Sequence, residues 1–482
     1  MSTGAIEPTW ADAQREAFVA SRANRVARNA VTSDNVWKAA RDVSHMRAYH
    51  DTFSVSRPRT GAVTNQRHSG RCWMFSSFNV ARAATIDLLD VDDFEFSQTF
   101  GMFWDKLEKA NMLLENVIAR IDRPFDDREL QFVLANGLGD GGYYPGAMNI
   151  IRKYGLVPKD AMPETACTKD SSQMNPQLER LARRDAAQLF HMRAAGASVD
   201  ELRAEKGRML EGFYRMLAVC LGEPPATFDL EVAVCPKAKV PADKLVEQEG
   251  GPAPDPTDKD AKPRRILRDR GITPREFAER YVPFDPTDYV QLVSCPGATR
   301  PFGHAYHLCL MDTFVGGTPL RFLNVEPEVI DTAAVASLRA GVPVEMGCDV
   351  MQQFPRHIDD FPGVLALDTM DYEGLFDVDL SMGREDLWDL GETAFTHAMT
   401  FQGVELDDDG KPVAWRVENS WGKENCKDGY LVMSADWFHL YGGEVCVRRE
   451  FVPAEVLELW DTLPAEDVMP WSGMGRALAP MS

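Results

Sequence analysis

The sequence lacks long apolar segments, an excess of basic residues and an apolar N-terminal leader. No run of about 18 apolar residues occurs, so we expect no membrane-spanning helix. Lys and Arg total 52 against 74 Asp and Glu, for a formal net charge of −22, which disfavours nucleic acid and anionic membranes as partners. The N-terminal segment carries acidic residues and no apolar core, so we expect no secretory signal.

Closely spaced cysteines are also missing. The nine cysteines are odd in number and lie far apart, at positions 72, 167, 220, 235, 295, 309, 348, 426 and 446. Without a CxxC spacing they predict neither a zinc ribbon nor a disulfide framework. We therefore expect free thiols, a cytoplasmic protein, and no metal or other cofactor. The motif His304-Ala-Tyr-His307 is too short for a metal site, and no acidic residue is spaced to complete it.

What the sequence does have is the composition of a folded protein with a large core. Hydrophobic residues make up 44% and aromatic residues 10% of 482 residues, a length typical of about three domains. Helical patterns dominate to about residue 220, and short β-like runs begin near residue 286. The Gly-rich segment 136–146 lacks the Lys-Ser/Thr pair of a phosphate-binding loop and is interpreted as a packing turn. Residues 236–271, rich in Pro, Asp and Lys, are interpreted as a surface excursion.

Cys72 lies where a glycine-containing loop changes to the spacing of a helix. A cysteine attacks a carbonyl as its thiolate, and the unpaired N–H groups in the first turn of a helix stabilise that anion. Gln66 precedes it by six residues. The loop can fold back, so that the Gln66 side-chain NH₂ and the Cys72 backbone N–H point at one developing oxyanion. The alternative for Cys72 alone is a small buried apolar residue.

His397 is the candidate base. It starts a short apolar run that ends in the turn signal Asp407-Asp408-Asp409-Gly410, and an alternating run follows. A hairpin centred between Asp408 and Asp409 places His397 opposite residue 420, one residue from Asn419. The Asn419 side chain could then accept the proton of one ring nitrogen and leave the other nitrogen facing the thiol. The alternative is a polar pair on a solvent-facing hairpin.

The order Gln66, Cys72, His397, Asn419 and the residues around them resemble the papain superfamily. Two features depart from papain itself: Arg71 precedes the cysteine, and 325 residues separate Cys72 from His397, where that family has about 130–150. Both departures fit the bleomycin hydrolases and the bacterial aminopeptidases called aminopeptidase C, which this chain resembles along most of its length. The matching segments are Ser69-Gly-Arg-Cys-Trp73, Glu95-Phe-Ser-Gln98, residues 103–111, Asp140-Gly-Gly142, Lys153-Tyr-Gly155, Val157-Pro-Lys159, Pro163-Glu164, Gly347-Cys-Asp349 and residues 415–422.

The resemblance implies an α+β, papain-like two-lobed cysteine peptidase fold with large helical insertions and a C-terminal arm. We divide the chain into an N-terminal helical extension (1–60), a helical lobe with the nucleophile (60–165), a helical insertion with the Pro/Asp-rich excursion (166–284), a β-rich lobe with His397 and Asn419 (285–460), and an arm that enters the active site (461–482). The segments near 170–235 and 240–265 are expected to lie outside the two-lobed core and to make subunit contacts.

The resemblance also implies an activity. Cys72 would be the nucleophile, His397 the general base and acid, Asn419 its orienting partner and Gln66 the oxyanion donor of a cysteine aminopeptidase that acts on peptides and forms a homohexamer. The family's tail ends in the cleft, where its carboxylate receives the amino group of the peptide. Here Ser472 and Gly473 replace the family's Asp and Pro, and four residues follow Leu478.

Two alternatives remain open. An endopeptidase on the same fold is favoured if the altered arm leaves the cleft open. A catalytically idle assembly or DNA-binding protein is the other, and the intact set of Gln66, Cys72, His397 and Asn419 argues against it.

Overall fold

The computed structural model describes residues 4–247, 265–355 and 363–478. Most of the predicted excursion near 240–265 lies outside these residues, as do the last four residues of the chain. None of the helices described within these ranges is both long and apolar enough to cross a bilayer.

The first part of the chain is helical, as the apolar spacing predicts. Short helices lead to a two-residue strand, and four longer helices follow before residue 155. They are α1 (Pro8–Ala20), α2 (Arg22–Ser33), α3 (Val36–Ala40), α4 (Val43–Met46), β1 (Val55–Ser56), α5 (Cys72–Leu89), α6 (Gln98–Ala119), α7 (Arg128–Asn136) and α8 (Tyr144–Tyr154). α5 is apolar on most sides and buried along most of its length, which is the pattern of a central core helix.

A second group of elements follows between residues 166 and 281. It comprises α9 (Ala166–Lys169), α10 (Asn175–Ala194), α11 (Val199–Leu221), β2 (Phe228–Val234), β3 (Leu245–Glu247), β4 (Arg265–Ile272) and α12 (Pro274–Tyr281). α12 begins as predicted, because Thr273 caps it through a reciprocal bond with Glu276 and Pro274 occupies its first turn. The three strands form a small antiparallel sheet in the order β2-β4-β3, which the helical interpretation of this segment missed.

The rest of the chain supplies the large sheet. Its elements are β5 (Tyr289–Val293), β6 (His304–Leu308), β7 (Arg321–Asn324), α13 (Pro327–Arg339), β8 (Val344–Cys348), β9 (Gly363–Leu365), α14 (Tyr372–Phe376), α15 (Arg384–Leu390), β10 (His397–Leu406), β11 (Pro412–Glu418), β12 (Tyr430–Ser434), α16 (Ala435–Tyr441), β13 (Gly442–Arg448), α17 (Ala454–Thr462), β14 (Ala465–Val468) and α18 (Gly473–Leu478). The strand order is β14-β6-β7-β5-β13-β8-β10-β11-β12-β9, and β1 also pairs with β10.

The helical and β-rich parts meet where α5 packs on the sheet. The Ser76 hydroxyl donates to the Met399 carbonyl oxygen over 2.6 Å, and the Ser77 hydroxyl donates to a Glu345 carboxylate oxygen over 2.8 Å. Both serines lie one turn or so after Cys72. The start of α5 is thereby fixed against β8 and β10.

The helices of the 166–284 segment share a core with the preceding lobe. Apolar residues of α10 and α11, including Leu189 and Phe213, pack in one buried cluster with Leu114 and Val117 of α6. The family resemblance predicts that this segment lies outside the papain-like core, and its boundary at residue 166 stays a prediction. In packing terms, however, α10 and α11 extend the helical lobe.

Candidate active site

Cys72 is the first residue of α5, at the predicted junction of loop and helix. The loop before it is tied to the Gly-rich segment 136–146. The Gly70 N–H donates to Asp140 Oδ2 over 3.1 Å, and the Trp73 indole N–H donates to the Asp140 carbonyl oxygen over 2.9 Å. Lys106 forms a buried ion pair with the Asp140 carboxylate at 2.7 Å. The residues on both sides of Cys72 are therefore fixed by contacts with Asp140.

Arg71, the residue that departs from papain, is an anchor of the same loop. Its guanidinium is almost fully buried and makes two hydrogen bonds to the Glu164 carboxylate, at 3.1 and 3.0 Å. It also donates to the Thr168 carbonyl oxygen at 2.6 Å and to the Ser69 hydroxyl at 2.8 Å. A bidentate pair of this kind fixes orientation as well as charge. Arg71 thus ties the loop before Cys72 to α9.

His397 and Asn419 meet as the hairpin predicts. β10 and β11 pair antiparallel, with a bulge between Phe401 and Gly403. His397 Nε2 lies 2.8 Å from Asn419 Oδ1, and Oδ1 also accepts the Ser420 N–H at 2.7 Å. An acceptor at Nε2 selects the tautomer that carries the proton there and leaves Nδ1 as the basic nitrogen. The Trp421 ring lies 4.9 Å from the imidazole, measured between centroids, and shields this pair.

Gln66 folds back into the cleft beside Cys72. One side-chain N–H donates to the Ser69 carbonyl oxygen over 2.6 Å, and Oε1 accepts from the Ser420 hydroxyl over 2.5 Å. The amide carries two N–H groups, so one donor remains for a ligand. Its orientation is set by a contact from each lobe.

The environment of the Cys72 thiol differs from the thiolate-favouring one that the sequence predicts. Burial raises the pKa of Cys72, and the nearby Glu345 carboxyl raises it further. The N–H groups of Ala398, Trp73 and Cys72 itself act in the opposite direction and lower this pKa. Burial outweighs them, so the protonated thiol is favoured in the unliganded cleft. The proton must then pass to a base when the sulfur attacks.

The cleft that joins these residues has a volume of about 520 Å³. Gln66, Cys72 and His397 all line this cleft, and Asn419 contacts His397 on the side away from it. Several other residues that line the cleft were not predicted from the sequence. They are Asn136, residues 139–144, Met311, Glu345, Met346, Phe395, Glu444 and Leu478.

The Gly-rich segment 136–146 is more than the packing turn that the sequence suggests. A Cβ on Gly142 would lie 2.5 Å from the Trp73 ring, so glycine permits this close packing. A Cβ on Gly141 would meet nothing within 4 Å, because its backbone faces the open cleft. Exposed backbone beside a nucleophile can pair with an extended peptide. The sequence contains an indication of this role, because Gly141 and Gly142 are adjacent and no turn at this place requires either glycine.

The C-terminal segment reaches the same cleft. Leu478 lines it, and the Tyr143 hydroxyl donates to the Leu478 carbonyl oxygen at 2.6 Å. The Phe395 N–H donates to the Ala477 carbonyl oxygen at 2.7 Å. Met474, Ala477 and Leu478 are buried against Trp388 and Phe395 in one apolar cluster. α18 is thus docked over part of the cleft, and residues 479–482 lie outside the described residues.

One cluster elsewhere differs from the sequence expectation. His307 was expected to lack an acidic partner, but Asp312 and Asp467 each lie 2.9 Å from one of its ring nitrogens. Hydrogen bonding to Asp312, with Asp467 and charge effects adding to it, raises the pKa of His307 to about 9. His307, Asp467 and Cys309 form a group whose possible ligand atoms lie within 4.8 Å of one another. The expectation was wrong because β14 brings Asp467 alongside β6 from far along the chain.

A helical lobe and a β-rich lobe that contribute a cysteine and a histidine to one cleft define the class of papain-like cysteine peptidases. The chain belongs to the Peptidase C1-like family, whose model matches residues 6–236 and 257–475. A crystal structure of PepW from Lactobacillus rhamnosis has a TM-score of 0.88 and 34% identity, with 98% of this chain and 99% of that chain covered.

Relatives of similar length are also peptidases. An aminopeptidase C of Lactobacillus delbrueckii subsp. lactis is 34% identical over 452 residues, which cover 93% of both chains. An aminopeptidase G of the same organism is 36% identical over 459 residues, covering 95% of this chain and 96% of the relative. These relatives support a cysteine-type aminopeptidase.

Proposed function

We propose that the protein hydrolyses the N-terminal residue from peptides, with Cys72 as the nucleophile and a thioester as the intermediate. The observation that carries this assignment is the His397 Nε2 to Asn419 Oδ1 contact of 2.8 Å beside a thiol at a helix start. An oriented imidazole next to a cysteine is the arrangement that nucleophilic acyl transfer needs. It also argues against the idle and DNA-binding alternatives.

In the proposed reaction the Cys72 proton passes to His397 Nδ1 as the sulfur attacks the peptide carbonyl carbon. The oxyanion that forms would accept hydrogen bonds from the Gln66 side chain and the Cys72 N–H. Collapse breaks the C–N bond, and His397 returns the proton to the departing amine. Water, deprotonated by His397, then cleaves the thioester and regenerates the thiol. Asn419 keeps the ring in one tautomer throughout.

The docked position of α18 supports exopeptidase over endopeptidase action. Leu478 and its hydrogen bond from Tyr143 occupy part of the cleft. A peptide that extends upstream of the scissile bond needs that space, whereas a peptide that begins at the scissile residue does not. The endopeptidase alternative requires the arm to leave this position.

The test compares one peptide with a free N-terminus and its N-acetylated twin, with products identified by mass spectrometry. We expect the wild type to release the first residue of the free peptide only, and Cys72→Ser to release nothing while it keeps its thermal unfolding temperature. The control is Cys235→Ser, because Cys235 lies outside the cleft, and its activity should equal that of the wild type. Turnover by Cys72→Ser would reject the nucleophile, and internal cleavage of both twins would establish an endopeptidase.

Two finer features extend this proposal. We infer a homohexamer from the resemblance to the bleomycin hydrolases and aminopeptidases C. Assembly is supported by α1 and α2, which bury none of their residues within the chain and expose apolar side chains that include Trp10 and Phe18. We infer a cytoplasmic location from the odd set of nine widely spaced cysteines, which suits a reducing compartment. The division of the chain at residues 60, 165, 284 and 460 belongs to the same proposal.

A further inference from the structure

Two carboxyl groups line the cleft beside the nucleophile. Glu345 on β8 is 4% exposed, and its only hydrogen-bond donor among the described residues is the Ser77 hydroxyl, at 2.8 Å from Oε2. Glu444 on β13 is half-buried, and its Oε1 accepts from the Gln291 side-chain N–H over 2.6 Å. Each carboxyl therefore keeps one oxygen without a described hydrogen bond, and both groups border the cleft.

The sheet register brings both groups close to the reacting sulfur. β8 lies between β10 and β13, and Gly347 is paired with Ala398 on one side and Glu444 on the other. Glu444 Oε2 lies close to the Gly347 backbone. If Gly347 carried a Cβ, that atom would be 2.5 Å from Glu444 Oε2. The Ala398 N–H, in turn, reaches the Cys72 sulfur, and Glu345 is close enough to raise the pKa of that thiol.

Within the described parts of the chain, no basic residue is paired with these two acids. Burial raises the pKa of Glu444 to about 7 and that of Glu345 well above its ordinary value, and the charge of Glu444 raises the latter further. No Lys or Arg in the described ranges lies close enough to lower either pKa. Buried carboxylates are ordinarily paired, because an unpaired buried charge costs several kcal/mol. Without such a partner the two carboxyls favour their protonated forms, and a cation that enters the cleft would favour their charged forms.

We propose that Glu345 and Glu444 form a subsite for one cationic group of the peptide substrate, either its α-ammonium group or the side chain of a Lys or Arg residue. The subsite rests on the proposed peptidase function of the same cleft. A charge-assisted hydrogen bond in this partly desolvated place is stronger than one in water. Phe395 and Leu478, which line the same cleft, supply apolar walls for the methylene groups that carry such a cation.

The test uses two matched pairs of fluorogenic amides. Arginine and citrulline amides share shape and the free α-amine but differ in side-chain charge. Alanine and propionyl amides differ by the α-amine alone. The measured quantity is the ratio of kcat/KM within each pair for the wild type, Glu444→Gln and Glu345→Gln. A ratio within one variant cancels any general change in folding or in the reactivity of Cys72.

We expect the wild type to prefer the cationic member of at least one pair by tenfold or more, and both variants to lose most of that preference. Loss in the arginine pair identifies the side chain as the bound group, and loss in the alanine pair identifies the α-ammonium. The control is Glu466→Gln on β14, whose carboxylate contacts His304 outside the cleft, and its ratios should match the wild type.

Two outcomes would overturn the subsite. One is a wild type that hydrolyses these amides without preferring the cationic member of either pair, which needs no variant to observe. The other is a preference that both Glu→Gln variants retain. A wild type that hydrolyses none of the four amides would instead reject the proposed function, so the two failures are distinguishable.

Discussion

The Gln66 side chain connects the two lobes at the reacting centre. Its Oε1 accepts from Ser420 after β11, and its Nε2 donates to Ser69 in the loop before Cys72. The second N–H of Nε2 is the one that the proposed mechanism assigns to the oxyanion. The residue therefore has a structural and a chemical role, and kinetics can separate them.

Gln66→Ala should lower kcat by about 10²–10³ and change KM little, because an oxyanion donor acts mainly on the transition state. Steady-state kinetics on a free-amine peptide measures both constants. Gln66→Glu, which keeps the size but loses the N–H donors, should be as slow as Gln66→Ala. A wild-type kcat in either variant would show that Gln66 only joins the lobes.

The residues that could be predicted from the sequence are those with a local signature. Cys72 stands at a change of spacing, and His397 and Asn419 flank one hairpin, so short stretches of sequence determine their positions. Glu345 and Glu444 could not be predicted in this way. Their roles depend on which face of β8 and β13 turns to the cleft, and that is decided by pairing between strands about 100 residues apart in the chain.

The role of Arg71 could not be predicted from the sequence either. The sequence marks it as a departure from papain but gives no reason for it. Its partner Glu164 precedes α9, a short helix that the sequence analysis did not predict, and the buried bidentate pair becomes visible only in the structure. A long-range ion pair has no periodicity by which a sequence could reveal it.

Among the secondary-structure elements, α18 has the most direct bearing on specificity. It follows Trp471, whose ring packs on Phe132 of α7 and under the Arg128 guanidinium. From this anchor the helix runs to Leu478 in the cleft. Under the proposed function this helix covers the space for upstream substrate residues, while Cys72 and His397 line the remaining cleft.

Deletion of residues 471–482 should convert the enzyme towards endopeptidase action, since the upstream part of the cleft is then open. Cleavage of an N-acetylated peptide with one internal site, followed by mass spectrometry, compares the full and truncated chains. The matched control deletes residues 479–482 only and keeps α18, so blocked peptides should remain uncut. Equal cleavage of the blocked peptide by the full and truncated chains would reject the role of the arm.

The small β2-β4-β3 sheet is a second feature, besides α9, that the sequence did not predict. Its strands flank a segment rich in Pro, Asp and Lys, residues that favour loops and lower any strand propensity averaged over the region. β4 nevertheless buries Leu267 and Ile272, and β2 pairs along nearly its whole length with it. Tertiary packing overrode the local composition here.

At the scale of the whole molecule, the N-terminal helices leave an apolar surface uncovered. Trp10 is 57% and Phe18 40% exposed, both on α1. Clustered exposed aromatic residues are typical of protein–protein interfaces. A single chain of this protein therefore presents a surface suited to assembly.

Light scattering coupled to size-exclusion chromatography should give a mass near six times 53.8 kDa. Trp10→Asp should lower the mass at micromolar concentration, because a charge would replace an aromatic contact. Val413→Asp, which changes an exposed residue of β11, serves as the control and should keep the wild-type mass. A wild-type monomer at micromolar concentration would contradict the hexamer.

The docking of α18 also makes this helix a tethered competitor for the protein's own cleft. An intramolecular segment on a short connection reaches an effective concentration on the order of millimolar. Leu478, whose carbonyl oxygen accepts a hydrogen bond from Tyr143, is thus held near the cleft by its connection to the rest of the chain. An inhibitor that extends upstream past this point must displace a ligand that cannot diffuse away. Compact, single-residue electrophiles directed at Cys72 should therefore outperform longer peptide analogues of the same warhead.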